Sequence, residues 1–345
     1  MENNSNSPRR TITRAKKSIF KNQWFFLLSV EIGIAIITGI INPRFFMMSN
    51  ILNILEQVAV LGIVASGMTM LIISGEIDIS VGANIGLSSC IMAMMIRSGF
   101  GGGALIPVLI GIAIAIFNSF LVGLTSSLFK APSFITSLAF ISVFQGIALA
   151  ITKGSFQTIY GKFETIGTTR LGNILPISFL ISLVAFFIMH FMLTYTKLGR
   201  RTYAIGSNPS AAFLSGINVR WSKLVNFMIS GLFVGVAAMV LLSRIGAAQP
   251  STGSGIELKA IGAVVIGGTP LMGGKGRIIG TIFGVLLMGI ISNALNMLRV
   301  NPYFQEVTFG ALIIASLAVS VLSTYRKRGL VEKVHDKDNK GSDNK

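Results

Sequence analysis

Three stretches of this sequence carry residue types whose chemistry stands out from their apolar surroundings. The first is Gly75-Glu76-Ile77-Asp78-Ile79-Ser80-Val81-Gly82, a pair of carboxylates bracketed by glycines and wedged between apolar runs. A carboxylate near a bilayer centre costs about 2.5–3.5 kcal/mol on insertion scales, so two so close together need a reason. Flanking glycines allow a break at which backbone groups face a cavity instead of lipid. Gly75, Glu76, Asp78, Ser80 and Gly82 are therefore candidates for lining a path across the membrane. A short turn whose acids sit in cytoplasmic water explains the same residues, and both placements stay open.

The second stretch lies in the basic loop from Lys197 to Lys223. Its segment Ser207-Asn208-Pro209-Ser210-Ala211-Ala212-Phe213-Leu214-Ser215-Gly216 reads as a short helix. Asn208 suits the N-cap, Pro209 the first helical position and Gly216 the C-terminal stop. Phe213, Leu214 and Ile217 then present an apolar face in a loop that should be wet. Such a face needs cover, from another protein or from its own bundle and the lipid interface.

The third, Gly267-Gly268-Thr269-Pro270-Leu271-Met272-Gly273-Gly274-Lys275-Gly276, imitates a phosphate-binding loop but fails its spacing. Counting back from Gly274-Lys275, the required first glycine falls on Thr269, and Gly276 replaces the hydroxyl residue that holds magnesium. Gly267, Gly268, Gly273 and Gly274 are read as a structural loop, and any ATP is used by a different polypeptide. The equal separation of Gly75 from Gly82 and of Gly267 from Gly274 is a weak internal echo. Paired broken segments point to a transport site near the midplane, although with 38 glycines coincidence competes with that reading.

The elements that must position these stretches follow from composition. Only 12% of the 345 residues are charged and 52% are hydrophobic, with a mean hydropathy of +0.74. Soluble domains carry about a quarter charged residues, so the solvent here is lipid. In hydrocarbon a helix satisfies its own backbone, which predicts an all-α, polytopic transmembrane helix bundle. Runs long enough to cross about 30 Å lie at 24–41, 51–73, 81–97, 104–128, 133–151, 174–195, 224–243, 256–272, 278–298 and 303–323. That is about ten spans, the third short and the eighth interrupted by glycine.

Lysine and arginine are in roughly twofold excess in the segments facing one side, which places both termini in the cytoplasm. The transmembrane domain occupies 21–325. The basic tail 1–20 and the polar tail 326–345 lack the apolar residues to fold. No small-residue cleavage site follows the first apolar run, so it is read as a span and not a signal peptide. The loop 152–173, with Phe156, Tyr160 and Phe163, lies on the membrane surface or meets an external partner.

The net charge of +17 sits in clusters between apolar runs, without the aromatic-interleaved stripe of a nucleic-acid binder. Lone Cys90 offers neither disulfide nor metal site. Glu31, Glu56, Glu257 and Glu306, at or near span ends, are expected to reach the interface or a lysine. Asn118, Ser119, Asn293 and Asn296 are expected to hydrogen-bond between helices, each contributing about 0.6 kcal/mol. His190 reads as a packed histidine and the methionines as packing residues.

Together the three stretches resemble the ribose-type sugar permeases of bacterial ABC importers, a family that also contains autoinducer-2 permeases. The resemblance covers roughly 40–325. Gly75–Gly82 is similar to the family's GGIDLSVG, Gly206–Gly216 to its cytoplasmic coupling segment, and Gly267–Gly276 to its GG-rich loop. Glu76 departs from the usual glycine. The resemblance implies a multi-pass protein of the bacterial plasma (inner) membrane that moves a sugar or sugar-like solute inward. It implies a second permease copy or paralogue, cytoplasmic ATPase subunits and an extracytoplasmic solute-binding protein as partners, with membrane lipid around the bundle. It also implies that Asn208, Pro209, Ala211, Ala212, Phe213, Leu214 and Gly216 couple to the ATPase, and that this chain is not itself an enzyme.

Two rival readings use the same residues. An ion-gradient-driven symporter would employ Glu76 or Asp78 as its ion site and would not need the apolar-faced loop. An intramembrane hydrolase would need a serine beside His190, which nothing in the sequence places there.

Overall fold

The computed structural model describes residues 23–172, 174–316 and 318; both expected tails and their basic residues lie outside that range. In chain order the helices are α1 (Gln23–Ile41), α2 (Met48–Ile73), α3 (Val81–Ser98), α4 (Leu105–Phe129), α5 (Ser133–Thr152), α6 (Thr165–Thr168), α7 (Ile177–Tyr195), α8 (Lys197–Ser207), α9 (Pro209–Leu214), α10 (Val219–Ile245), α11 (Ile256–Ile266) and α12 (Ile278–Met297). Residues 302–316 are also helical. Eight of these helices, α1–α5, α7, α10 and α12, are long and apolar enough to cross a membrane. The expected all-α polytopic bundle is what forms.

The chain alternates between two ends of the bundle. One end, here the lower, gathers the C-terminus of α2, the α4–α5 turn, α8, α9 and the loop before α12. The upper end gathers the α1–α2 turn, the segment 153–176 and the C-terminus of α10. Cross-contacts agree with this assignment: the Asn42 side chain donates to the Met297 carbonyl above, and Arg277 stacks on Trp24 below.

The apolar run expected to be an eighth spanning helix behaves differently. Its helical part, α11, has 11 residues, or about 16 Å, half a bilayer. The preceding residues 246–255 are not helical and enter the bundle from the upper end. There the Gly253 carbonyl lies against Gly82 in the first turn of α3, and Pro250 lies against Gly86 one turn on. Sequence hydropathy continues past Ile266 to Met272, but Gly267, Gly268 and Pro270 end the helix.

α2 is buried over nearly all of Val58–Ile73 and forms the centre of the bundle, as expected of a helix apolar all round. Small residues bring the other helices close. Gly231 and Gly235 of α10 face Ala115, Ser119 and Ile112 of α4, where an added Cβ would stand 2.8 Å from the Ala115 carbonyl and the Ile112 Cα. This is the small-xxx-small contact that lets helices pack in lipid, where no hydrophobic force drives them together. Gly280 and Gly284 of α12 likewise receive the Gly267 and Ala263 carbonyls, seating the half-helix α11.

Segment 153–176 is a folded cap on the upper end. β1 (Gln157–Thr158) pairs antiparallel with β4 (Ala247–Ala248), and β2 (Arg170–Leu171) with β3 (Leu175–Pro176). Ile159 is fully buried, and Ser243 both donates to the Phe163 carbonyl (2.6 Å) and accepts from the Gly167 amide (2.9 Å). Phe163 therefore packs inward, while Phe156 and Tyr160 remain exposed.

Gly235→Leu will overpack the α4–α10 contact and cost about 1–3 kcal/mol. The melting temperature in detergent should fall by roughly 2–4 °C per kcal/mol. Gly146→Leu, on an open face of α5 with nothing within 4 Å, should leave it unchanged or higher.

Candidate translocation and coupling site

The three stretches singled out by sequence meet at the lower end. α2 stops at Ser74, and Gly75 turns the chain in the left-handed region (φ +79°), a conformation that favours glycine. The Ile73 carbonyl left open by this stop accepts from the Gly274 amide at 2.8 Å. Gly206 of α8 packs directly on that carbonyl, and a Cβ on Gly273 would stand 2.8 Å from the Gly75 nitrogen. Around this backbone junction the Tyr203 hydroxyl donates to the Gly276 carbonyl at 2.8 Å. Burial pushes that phenol above its ordinary pKa, against the lowering influence of Arg277. Ser207 adds a longer bond to the Gly274 carbonyl (3.4 Å).

Beyond Gly75 the chain runs extended along α5. The Ile77 amide donates to the Ser133 hydroxyl (3.0 Å) and the Ile79 amide to the Ser137 hydroxyl (3.1 Å). Glu76 is buried and forms an ion pair with Lys223 near the start of α10. Asp78 is fully buried, and its Oδ1 accepts from the Ser80 amide and hydroxyl just before α3 begins. Asp78 thus closes a turn of its own segment.

Three cavities follow one another through this region. A lower vestibule of about 630 Å³ lies between residues 75–77, the α4–α5 turn and the start of α10, with Lys130, Arg220, Lys223 and Phe213 on its wall. An upper cavity of about 260 Å³ is lined by residues of the 246–255 segment and Phe156. A smaller space of about 80 Å³ shares Ser254 with the upper one and reaches down to Ile79. Ile77 borders the vestibule and Ile79 the small space, so the stretch Ile77–Ile79 separates them. Of the five expected lining residues, Gly75 and Glu76 border the vestibule and Gly82 the small space, whereas Asp78 and Ser80 border none of the three.

α9 forms as its capping residues require. The Asn208 side chain accepts from the Ala211 amide (3.0 Å), Pro209 takes the first position, and Gly216 ends the helix at φ +80°. Ala212 is buried, whereas Phe213 and Leu214 are 69% and 86% exposed, so their own bundle leaves them uncovered.

The family model described as "Branched-chain amino acid transport system / permease component" matches residues 50–317. The chain is 41% identical over 288 residues to the ribose import permease protein RbsC of Bacillus subtilis, covering 82% of this chain and 88% of that protein. It is 34% identical to the RbsC of Escherichia coli K12, covering 90% and 98% respectively. It is 37% identical to the D-allose transport system permease protein AlsC of E. coli K12, covering 86% and 90%. The chain belongs to the ribose-type permease family. It is a multi-pass permease subunit of the plasma (inner) membrane and not an enzyme. No solved structure gives a significant match.

Several permease residues that sequence reading passed over, or placed elsewhere, sit at this site. Lys223 had counted only toward topology, and its pairing with Glu76 depends on α10 returning beside α2 and α4. Glu257 was expected at an interface or a lysine but faces the small cavity with Gln145. The only sequence signal for these was a lone polar residue inside an apolar run. The other carboxylates behave as expected in part: Glu56 pairs with Arg170 (3.0 Å) and Glu306 with Lys259 (3.2 Å), while Glu31 is buried. The amides do bridge helices. Asn118 donates to Asn84 (2.8 Å), Asn84 donates to Ser119 (3.3 Å), Asn293 and Asn50 exchange two bonds of 2.9 Å, and Asn296 accepts from Gln305. His190 stands edge-on to Tyr195.

Lys223→Met strands the Glu76 carboxylate and should destabilise the fold by about 1–2 kcal/mol, less than the ~3–5 of a fully buried pair because the lysine keeps some water. Adding Glu76→Gln should restore most of that loss, a coupling readable from a double-mutant cycle of detergent melts.

Proposed function

We propose that this chain is the membrane-spanning subunit of an ATP-driven importer that moves a sugar or sugar-like solute into the cytoplasm. In this reading the lower end faces the cytoplasm and both termini lie there. The bundle makes ten crossings when the broken 246–266 passage and the helix at 302–316 are each counted as one. The layout is then a tail at 1–20, a permease domain at 21–325 and a tail at 326–345.

One observation carries the reading: the end-piece of α2, the glycine loop before α12 and the end of α8, which leads directly into the uncovered helix α9, converge at a single backbone junction. A push on α9 reaches Ile73 and Gly75 through the end of α8 and the glycine loop, backbone on backbone, while Glu76 is tied in through the Lys223 side chain. Cytoplasmic ATPase subunits are the cover for Phe213 and Leu214. ATP is consumed there, and this chain binds no cofactor. A second permease copy or paralogue, an extracytoplasmic solute-binding protein and membrane lipid complete the assembly.

The relatives named for ribose and allose support a monosaccharide as solute. Gly75, Glu76, Asp78, Ser80 and Gly82 serve this pathway as its movable divider, since Ile77–Ile79 stands between cavities. The symporter alternative is disfavoured because Lys223 already pairs with Glu76, and Asp78, held on Oδ1 by Ser80, borders none of the three cavities through which an ion would arrive.

The test is uptake of labelled D-ribose, D-allose and D-xylose into liposomes holding this chain with its ATPase and binding protein. Accumulation should require ATP and survive collapse of ion gradients; gradient-driven accumulation by this chain alone would refute the assignment. Leu214→Asp should abolish sugar-stimulated ATP hydrolysis, with a loss of about tenfold or more for a buried interface anchor, while the melt of the isolated permease stays unchanged.

A further inference from the structure

We propose that Glu257, Gln145 and Ser254 form a hydroxyl-binding station for a neutral polyhydroxylated solute, in the small cavity between the upper opening and the Ile77–Ile79 divider. The proposal rests on the importer reading and adds to it the residues that touch the solute.

Polar satisfaction is the first argument. Glu257 sits in the first turn of α11, where its Oε1 accepts from the Gly255 amide at 3.1 Å. Its Oε2 is buried with no partner in the protein. Other buried polar atoms lack partners too, among them those of Ser178, Ser230 and Asn226, but their residues line none of the three cavities. Glu257 does. An unmade hydrogen bond to a buried polar group costs about 1–3 kcal/mol. A carboxylate left open toward a cavity therefore has an acceptor to offer whatever enters. Gln145 of α5 borders the same space, and no hydrogen bond joins its amide to another described residue.

Shape is the second. Oε2 of Glu257 lies directly against the bare backbone of Gly82, where a Cβ would collide with it and stand 2.6 Å from the Gly253 carbonyl. Glycine at the end of the Gly75–Gly82 stretch thus makes room for the carboxylate. Ser254 adds a hydroxyl at the junction with the upper cavity.

The chemistry selects the ligand class. A carboxylate that only accepts, beside an amide that both donates and accepts, matches adjacent hydroxyls on a ring. An anion would be repelled. A metal ion would lack ligands, because no group of three His, Cys, Asp or Glu stands together among the described residues. At about 80 Å³ the space admits a few waters but no sugar ring. The station is therefore seen closed, and its two main groups ride on different helices, α5 and α11, whose separation would open it.

The experiment uses the reconstituted complex with ATPase and binding protein, and the sugar among D-ribose, D-allose and D-xylose that the wild-type complex accumulates. Wild-type uptake establishes the importer reading whatever the variants do, so the two ideas fail separately. Glu257→Leu and Gln145→Leu should each lower uptake about tenfold or more, as expected for losing a hydrogen bond to a solute in transit. ATP hydrolysis stimulated by loaded binding protein should stay within about twofold of wild type. Uptake within about twofold of wild type in both variants overturns the station.

A second readout does not depend on those variants folding. Ser254→Cys should react with a water-soluble maleimide, since Cys90 is buried and silent, and turnover with the transported sugar should slow labelling about threefold or more, by occupancy of the site. Labelling indifferent to the sugar also overturns the proposal.

Discussion

Backbone amides and carbonyls inside a lipid-embedded bundle must be paired, and residues 75–80 and 246–255, which leave the helical ladder, must find partners elsewhere. Their solutions differ. Residues 75–80 borrow hydroxyls: Ser133 and Ser137 accept the Ile77 and Ile79 amides, and the Asp78 carboxylate accepts the Ser80 amide. Residues 246–255 use one another and the cap. Ala247 and Ala248 pair with β1, the Gln249 amide donates to Thr252, and the Gly255 amide donates to Glu257. Because these partners are side chains or a two-residue ladder, each segment is held by fewer and more separable bonds than a helix.

That difference in bonding maps onto function. The eight long helices among the described residues are packed through glycine and small residues, with α2 at their centre. The two non-helical segments approach from opposite ends, and Gly253 of the second lies against Gly82 in the first turn of α3, the helix that follows the first. On the importer reading proposed above, a structure that alternates access needs a stiff frame and a weakly held divider, and the helices and residues 75–80 would fill those two roles. In that reading the junction of Gly206, Gly274 and the Ile73 carbonyl joins the divider to the end of α8, which leads into the surface helix α9. Contact there is backbone on backbone, so displacement is passed on instead of being absorbed by rotamer changes.

The acids illustrate how far pattern alone reaches. A carboxylate in an apolar run announces that something compensates it; Glu76 is neutralised by a lysine, whereas Asp78 is satisfied on Oδ1 alone. One meets Lys223 from a helix that begins some 140 residues later in sequence; the other meets Ser80 two residues away. The local partner was in principle legible from an Asp-x-Ser turn, the distant one was not. Glu257 was the least legible, since nothing nearby in sequence distinguishes it from a carboxylate at a water interface.

By itself the sequence determined what local physics controls: the lipid solvent, the positions of the long helices, the Asn208–Pro209 start and Gly216 end of α9, and the absence of a nucleotide-binding loop. Each follows from residue type within a few positions, because hydropathy, capping and proline or glycine geometry are short-range. Only the tertiary structure decided that the 256–272 run would be a half-helix preceded by an entering loop, that three distant glycine stretches share one junction, and that Glu257 faces Gln145. Those outcomes depend on which helices lie side by side, and in lipid that is settled by shape at small-residue contacts whose partners lie far apart in the chain.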